Sequence, residues 1–211
     1  MGANMQVVYK MVFGGSVLGF VGIRLIFGVI AYRSGLSFNF TDKEIEKQPD
    51  GKTGLWVIFI ILGILGFLVY FFLSPSESNI LIILLPDWIH ITGVLLCVIS
   101  LILQIIIHKT LQDGWHYAKV NHLGKIIIMN GPYKYVRHPL YASVILFLIG
   151  SALVTAYIPL IIMAMISIPF FEREAKTEED DMRRELAKEY DQYCKHTGRL
   201  LPRINFPTSR G

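Results

Sequence analysis

Charge is scarce in this sequence. Of 211 residues only 17% are charged, against 53% hydrophobic, and the mean hydropathy is positive. That balance excludes an ordinary water-soluble domain and makes an integral membrane protein the default. Cysteine is scarce as well: Cys97 sits in an apolar run and Cys194 in a charged tail, which supports neither a disulfide framework nor a zinc site. A net charge of +4, with its Lys and Arg gathered in a few loops, points to membrane topology and away from nucleic-acid binding.

What the chain does have is a succession of apolar runs. Met11 to Tyr32 is apolar apart from Arg24, and about 20 helical residues cross a hydrocarbon core of roughly 30 Å. No small-x-small cleavage site follows, so a span is expected in preference to a signal peptide. Arg24 must face a partner or cavity, or snorkel to a headgroup. Leu55 to Leu73 predicts a second span, in which Gly63 and Gly66 would let a neighbour approach. Pro86 separates an interfacial piece, residues 79–85, from a third span over Trp88 to His108. Pro139 to Phe171, split by Pro159 near Ala156-Tyr157, predicts a hairpin of two spans that each open on a proline, and Pro169 is expected to kink the second.

Lys10 is the one basic residue on the side shared by the N-terminus, residues 74–87 and the Tyr157 turn. The loops 33–54 and 109–137 and the tail from residue 173 hold eighteen Lys and Arg on the other side. This positive-inside bias predicts five spans, with the N-terminus outside and the tail in the cytoplasm. Met182, Leu186, Tyr190 and Tyr193 recur at helical spacing, so residues 177–195 read as a cytosolic amphipathic helix. Glu179 falls on that inward stripe and Glu178 at its edge, whereas Asp180 and Asp181 turn outward. The expected fold is therefore an all-α integral membrane protein. Residues 1–108 would supply three spans, 109–204 a functional core, and 205–211 a disordered tail.

Candidate chemistry gathers on the cytosolic side. Residues 109–138 are too long and too aromatic for a passive connection, and Lys125 to Met129 reads as a strand-like run that lines a pocket. His108, His116 and His122 do not follow a recognised ligand spacing, so no metal is expected. Gly131-Pro132-Tyr133-Lys134-Tyr135-Val136-Arg137-His138-Pro139-Leu140-Tyr141 runs into the hairpin, with Pro139 suited to the first helical position and His138 to the N-cap beside it. Free N–H groups there, with Arg137 and His138, suit an anionic group.

This G-x-Y-x3-R-H-P-x-Y stretch, the apolar hairpin, the Glu178-Glu179 pair and a closing Thr197-Gly198-Arg199-Leu200-Leu201-Pro202 together resemble the isoprenylcysteine carboxyl methyltransferase family over residues 111–204. The resemblance implies a multi-pass membrane methyltransferase that uses S-adenosylmethionine in a cytosol-facing pocket. A lipophilic, prenylated acceptor would enter it from the membrane. It further implies that Tyr133, His138, Pro139, Leu140 and Tyr141 line the cofactor, with Lys125, Ile126, Ile127 and Ile128 against its adenosyl part. Glu178 or Glu179 would meet its ammonium, and Arg173 matches the family's substrate-facing arginine; by its charge Arg137 could also orient the substrate carboxylate. The family's Trp-Ser is Trp115-His116 here, and loop 33–54 has no counterpart. Alternatives are a phospholipid-amine or thiol methyltransferase on the same fold, an NADPH-dependent sterol reductase, or a non-enzymatic membrane adaptor.

Overall fold

The computed structural model describes residues 3–33, 63, 65, 66, 68, 70, 81–117 and 128–203. Among these the chain is all-helical, without strands. Helix α1 is Ala3–Arg33, α2 is Asp87–Tyr117, α3 is Pro139–Thr155 and α4 is Ile158–His196. A 3-10 turn covers Gly131–Lys134. Within the interval expected to hold the second span, the described residues 63, 65, 66, 68 and 70 are helical. The rest of that interval, and the predicted short helix from Thr41 to Lys47, lie outside the described residues, as do Lys125, Ile126 and Ile127. Two described helices are long and apolar enough to cross a membrane, Met5–Ile30 and Asp87–Gln112, and Pro139–Thr155 is a shorter apolar helix.

Helix boundaries follow local chemistry. Helix α2 begins directly after Pro86, whose carbonyl accepts from Ile89 N–H at 3.0 Å, and Asp87 in its first turn complements the helix dipole. At α3 the His138 carbonyl accepts from Ala142 N–H at 3.1 Å, which makes His138 the N-cap and Pro139 the first helical residue. The hairpin turn is Ala156-Tyr157, where Ala156 is fully buried and takes a left-handed φ of 50°.

Two expectations are corrected. Helix α2 continues past His108 to Tyr117, so the first part of the 109–138 segment is helical; no Gly or Pro stops it before Gly114. The tail helix is not separate either. Helix α4 runs from the hairpin through the amphipathic stretch, because Phe171 to Thr177 holds no breaker and the apolar period passes directly into the amphipathic one. Pro169 lies inside this helix, and the interior residue with non-helical backbone angles is Ala187, at φ 41° and ψ −111°.

The chain forms two compact units, Met1–Leu95 with Gly150–Ile162, and Leu96–Ile149 with Met163–Gly211. In the first, Tyr9 stacks on His90 with centroids 4.3 Å apart, so α1 and α2 start at one level. Ile83 N–H donates to Ala156 O and Ile158 N–H to Leu81 O, both at 2.9 Å, which ties residues 81–83 to the hairpin turn. Gly93 lets α2 meet the end of α3, since a Cβ there would lie 2.6 Å from Val154 N. In the second unit Ser100 Oγ donates to Ser143 O at 2.7 Å. Leu186, Tyr190 and Tyr193 form a buried cluster with Met182 and Cys194 packed against it, the stripe read from the sequence.

Candidate active site

The site is assembled by a short parallel pairing of two segments distant in sequence. Gly198 N–H donates to Tyr135 O at 3.0 Å, Arg137 N–H to Gly198 O at 2.8 Å and His138 N–H to Arg199 O at 3.0 Å. Gly198 is required there because a Cβ would run into the Leu201 backbone carbonyl. Tyr193 Oη donates to Tyr133 O at 2.6 Å and fixes the 3-10 turn from the helix side. Gly131 supports that turn with a left-handed φ of 55°.

Once closed, the clip surrounds Glu179 with cations. Glu179 is 0% exposed. Arg137 Nε donates to its Oε1 at 2.8 Å, while Arg199 donates from Nε to Oε1 and from Nη2 to Oε2, each at 3.0 Å. Arg183 Nη2 stands 3.9 Å from Oε2. Burial would push this carboxyl up, but its contacts with His138, Arg199 and Arg137 outweigh that and hold it well below the usual carboxylate range. The arginines are committed too: Arg137 Nη1 also donates to the carbonyls of Thr197 and Cys194, and Arg199 Nη1 to Glu172.

Glu178 has a different environment. Its side chain is 42% exposed, with Oε2 3.3 Å from His138 Nδ1, and its Oε1 accepts a hydrogen bond from Tyr141 Oη. His138 Nε2 lies 3.5 Å from Glu179 Oε1, outside hydrogen-bond geometry. Burial lowers the basicity of His138, but the two glutamates more than offset it and leave its pKa raised above the ordinary 6.5. His138 stacks on Tyr141 at 5.5 Å and 3°, and Tyr141 on Phe171 at 5.2 Å, giving an aromatic column beside the exposed carboxylate.

Of the residues singled out in the sequence, the structure brings together Tyr133, Arg137, His138, Tyr141, Glu178 and Glu179. Pro139 is buried at the start of α3, Leu140 and Ile128 are half-buried, and Arg173 is exposed on α4. Asp180 and Asp181 are about half-exposed and pair with Arg183 and Arg184. Sequence reasoning quoted Arg199 in the closing motif but did not read its role. A carboxylate placed on an inward stripe demands buried cations, and that demand was the available signal. Phe171, the end of the fifth span in the sequence reading, belongs to this column as well. Among the described residues no group of three His, Cys, Asp or Glu is arranged to hold a metal ion.

Two described helices long and apolar enough to cross a membrane suggest a helical membrane protein, and the paired acids, arginines and stacked aromatics are its candidate site. Residues 93–184 match the model of the Isoprenylcysteine carboxyl methyltransferase (ICMT) family, the family that the sequence motifs resemble. The match supports a methyltransferase of the isoprenylcysteine carboxyl methyltransferase type. It includes the Arg137 to Tyr141 segment and both glutamates, and ends before Arg199. No curated protein matches the chain.

Proposed function

We propose that this protein transfers a methyl group from S-adenosylmethionine to the carboxylate of a lipid-linked, isoprenylated cysteine or a similar lipophilic acceptor. The observation that carries this reading is the division between the two glutamates. Glu179 is buried and already neutralised by arginines, while Glu178 keeps an exposed carboxylate beside an aromatic column, a fit for a cationic amino-acid group. Glu178 would hold the cofactor's ammonium, with Tyr133, Leu140, Tyr141 and Ile128 as walls and His138 and Pro139 shaping the entrance. Lys125, Ile126 and Ile127 are assigned to the adenosyl part from the family resemblance.

When bound, S-adenosylmethionine supplies an electrophilic methyl on a sulfonium. A carboxylate acceptor is ionised at neutral pH, so this chain has to orient and desolvate it without removing a proton. Arg173, exposed on α4, is the cation available to meet that carboxylate. Arg137, held by Glu179 and two carbonyls, acts as a positioning residue. The family match is what favours the carboxylate acceptor over the rival methyltransferase readings.

The topology we propose is five spans with the N-terminus outside and the site facing the cytoplasm. Supporting it, the starts of α1 and α2, residues 81–83 and the Ala156-Tyr157 turn meet in one unit, and all belong to the side that the sequence leaves nearly free of Lys and Arg. Two helices that start at one face and are each long enough to cross require a return between them, for which the apolar sequence from Leu55 to Leu73 is long enough. Titrating solubilised protein with S-adenosylmethionine and, separately, NADPH tests the cofactor assignment. Heat released by the first alone is expected; binding of NADPH alone would contradict it.

A further inference from the structure

In the second unit, helix α2 carries a polar residue every fourth position: Ser100, Gln104, His108 and Gln112. They fall within Asp87–Gln112, a stretch long and apolar enough to cross a membrane, where polar side chains are expensive and mark a partner or a path. Ser100 has its partner, the Ser143 carbonyl, at 2.7 Å. Gln104 has none among the described residues: it is 0% exposed, and neither Nε2 nor Oε1 meets a hydrogen-bond partner. Burying an amide with both ends unpaired is costly. Leu or Met would fill the same space without that cost, so the amide answers to a group from outside the chain.

The antiparallel register of α2 and α3 places this amide. Cys97 Sγ meets the Phe147 carbonyl at 4.0 Å and Ser100 Oγ the Ser143 carbonyl. One further turn of α2 brings Gln104 level with Pro139 and Leu140, the opening turn of α3, and Thr110 beyond it lies against Gly131. Gln104 therefore stands next to the 131–141 segment assigned to the cofactor site. Eight helical residues, about 12 Å, separate it from the end of the apolar stretch at Gln112, so its occupant comes from the lipid. The amide also fixes what that occupant offers. Nε2 has hydrogens to give and Oε1 lone pairs to fill, which calls for an acceptor and a donor side by side. A plain carboxylate or a phosphate diester only accepts and leaves Oε1 unpaired, whereas the end of an amino acid carries a carboxylate and an N–H on one carbon.

We propose that Gln104 binds the amino-acid end of the lipophilic acceptor, Nε2 donating to a carboxylate oxygen and Oε1 accepting from the N–H on the α-carbon. This rests on the methyl-transfer reading for the class of acceptor. It adds a residue outside the cluster around Glu178 and Glu179, and a requirement that the acceptor carry an N–H beside its carboxylate.

The test is equilibrium binding of two radiolabelled lipids to the full chain in nanodiscs, counted above empty nanodiscs. One is N-acetyl-S-farnesylcysteine; the other is its ester analogue, in which oxygen replaces the α-nitrogen and the N–H alone is lost. The wild type should bind the first about five- to ten-fold more tightly, as expected for one buried hydrogen bond. Gln104→Met, which keeps length and removes both polar atoms, should bring the ratio near one. Its S-adenosylmethionine affinity and melting temperature should not fall, since the amide holds nothing within the chain. Gln104→Leu repeats the comparison, and if neither variant folds the wild-type ratio still decides. Equal binding of the two lipids by the wild type would mean that the amide meets only water and would overturn the proposal, as would a preference undiminished in both variants. A preference that Gln104→Met abolishes, in a protein that forms no methyl ester, would uphold the Gln104 contact and overturn the methyl-transfer reading instead.

Discussion

Arg199 grips Glu179 with two parallel hydrogen bonds, Nε to Oε1 and Nη2 to Oε2, each 3.0 Å long, across 20 residues of sequence. The carboxylate is completely buried, and the arginine is brought to it by the turn at Gly198. Such bidentate pairs combine strength with fixed geometry. Here the pair holds α4 in the register that presents the neighbouring Glu178 to Tyr141 and His138.

The two glutamates should therefore fail differently. Glu178→Gln is expected to fold with nearly unchanged melting and to weaken S-adenosylmethionine binding by about 1.5–3 kcal/mol, the range for a hydrogen bond to a charged group. Glu179→Gln leaves arginines uncompensated and is expected to destabilise the protein by about 3 kcal/mol or more. Asp180→Asn and Asp181→Asn, on exposed pairs, should change neither property. Calorimetric titration and thermal melting of the four variants check this; equal effects at both glutamates would count against the division of roles.

Gly198→Ala should open the clip. Its Cβ meets the Leu201 backbone carbonyl, so the turn must shift, at a cost of about 1–3 kcal/mol, and Arg199 shifts with it. Thermal melting should fall, and hydrogen exchange should quicken at the amides of Arg137 and His138, which donate to this segment. Unchanged exchange at those amides would contradict the account.

Two pH dependences follow. Glu179 has a lowered pKa in the fold, so its contribution to stability is complete above the ordinary carboxylate value and disappears as pH falls toward the lowered one. His138 has a raised pKa, so its pairing stabilises below about 6.5 and is lost as pH rises through the raised value. Cofactor binding should run opposite to the His138 effect. If Glu178 holds the cofactor's ammonium as proposed, a protonated His138 would compete for it, so affinity is expected to increase as pH rises through the titration of His138. His138→Gln should flatten that rise in a calorimetric pH series; an unaltered slope would remove His138 from the site.

Much of this was legible in the sequence because it is periodic or local. The stripe of Leu186, Tyr190 and Tyr193, the proline start of α3 and the turn at Ala156-Tyr157 each follow from spacing or from one residue's backbone chemistry. The Arg199 clip was not legible, since it depends on residues 135–138 meeting 198–199, a contact no local pattern encodes. The junction inside α4 was misread for a related reason: amphipathicity changes at Phe171 without any residue that ends a helix, and the actual break at Ala187 falls within an unremarkable Leu-Ala-Lys run. Stripe geometry identified Glu179 as inward, but only the position of the arginines separates its role from that of Glu178.

The topology can be read by labelling. With Cys97→Ser and Cys194→Ser as background, a membrane-impermeant maleimide added outside should modify Leu84→Cys and spare Gln192→Cys, both at exposed positions. Modification of Gln192→Cys alone would invert the orientation.

The most direct measurement of the central claim is transfer of radiolabelled methyl from S-adenosylmethionine to a farnesylated cysteine analogue with a free carboxylate, by the wild type and by Glu178→Gln. The account predicts a base-labile methyl ester formed by the wild type, no product with the analogue's carboxylate amidated, and activity lowered at least ten-fold by Glu178→Gln at subsaturating cofactor, about what losing roughly 1.5 kcal/mol of binding would give. No ester from the wild type, or equal rates from the two proteins, would contradict it.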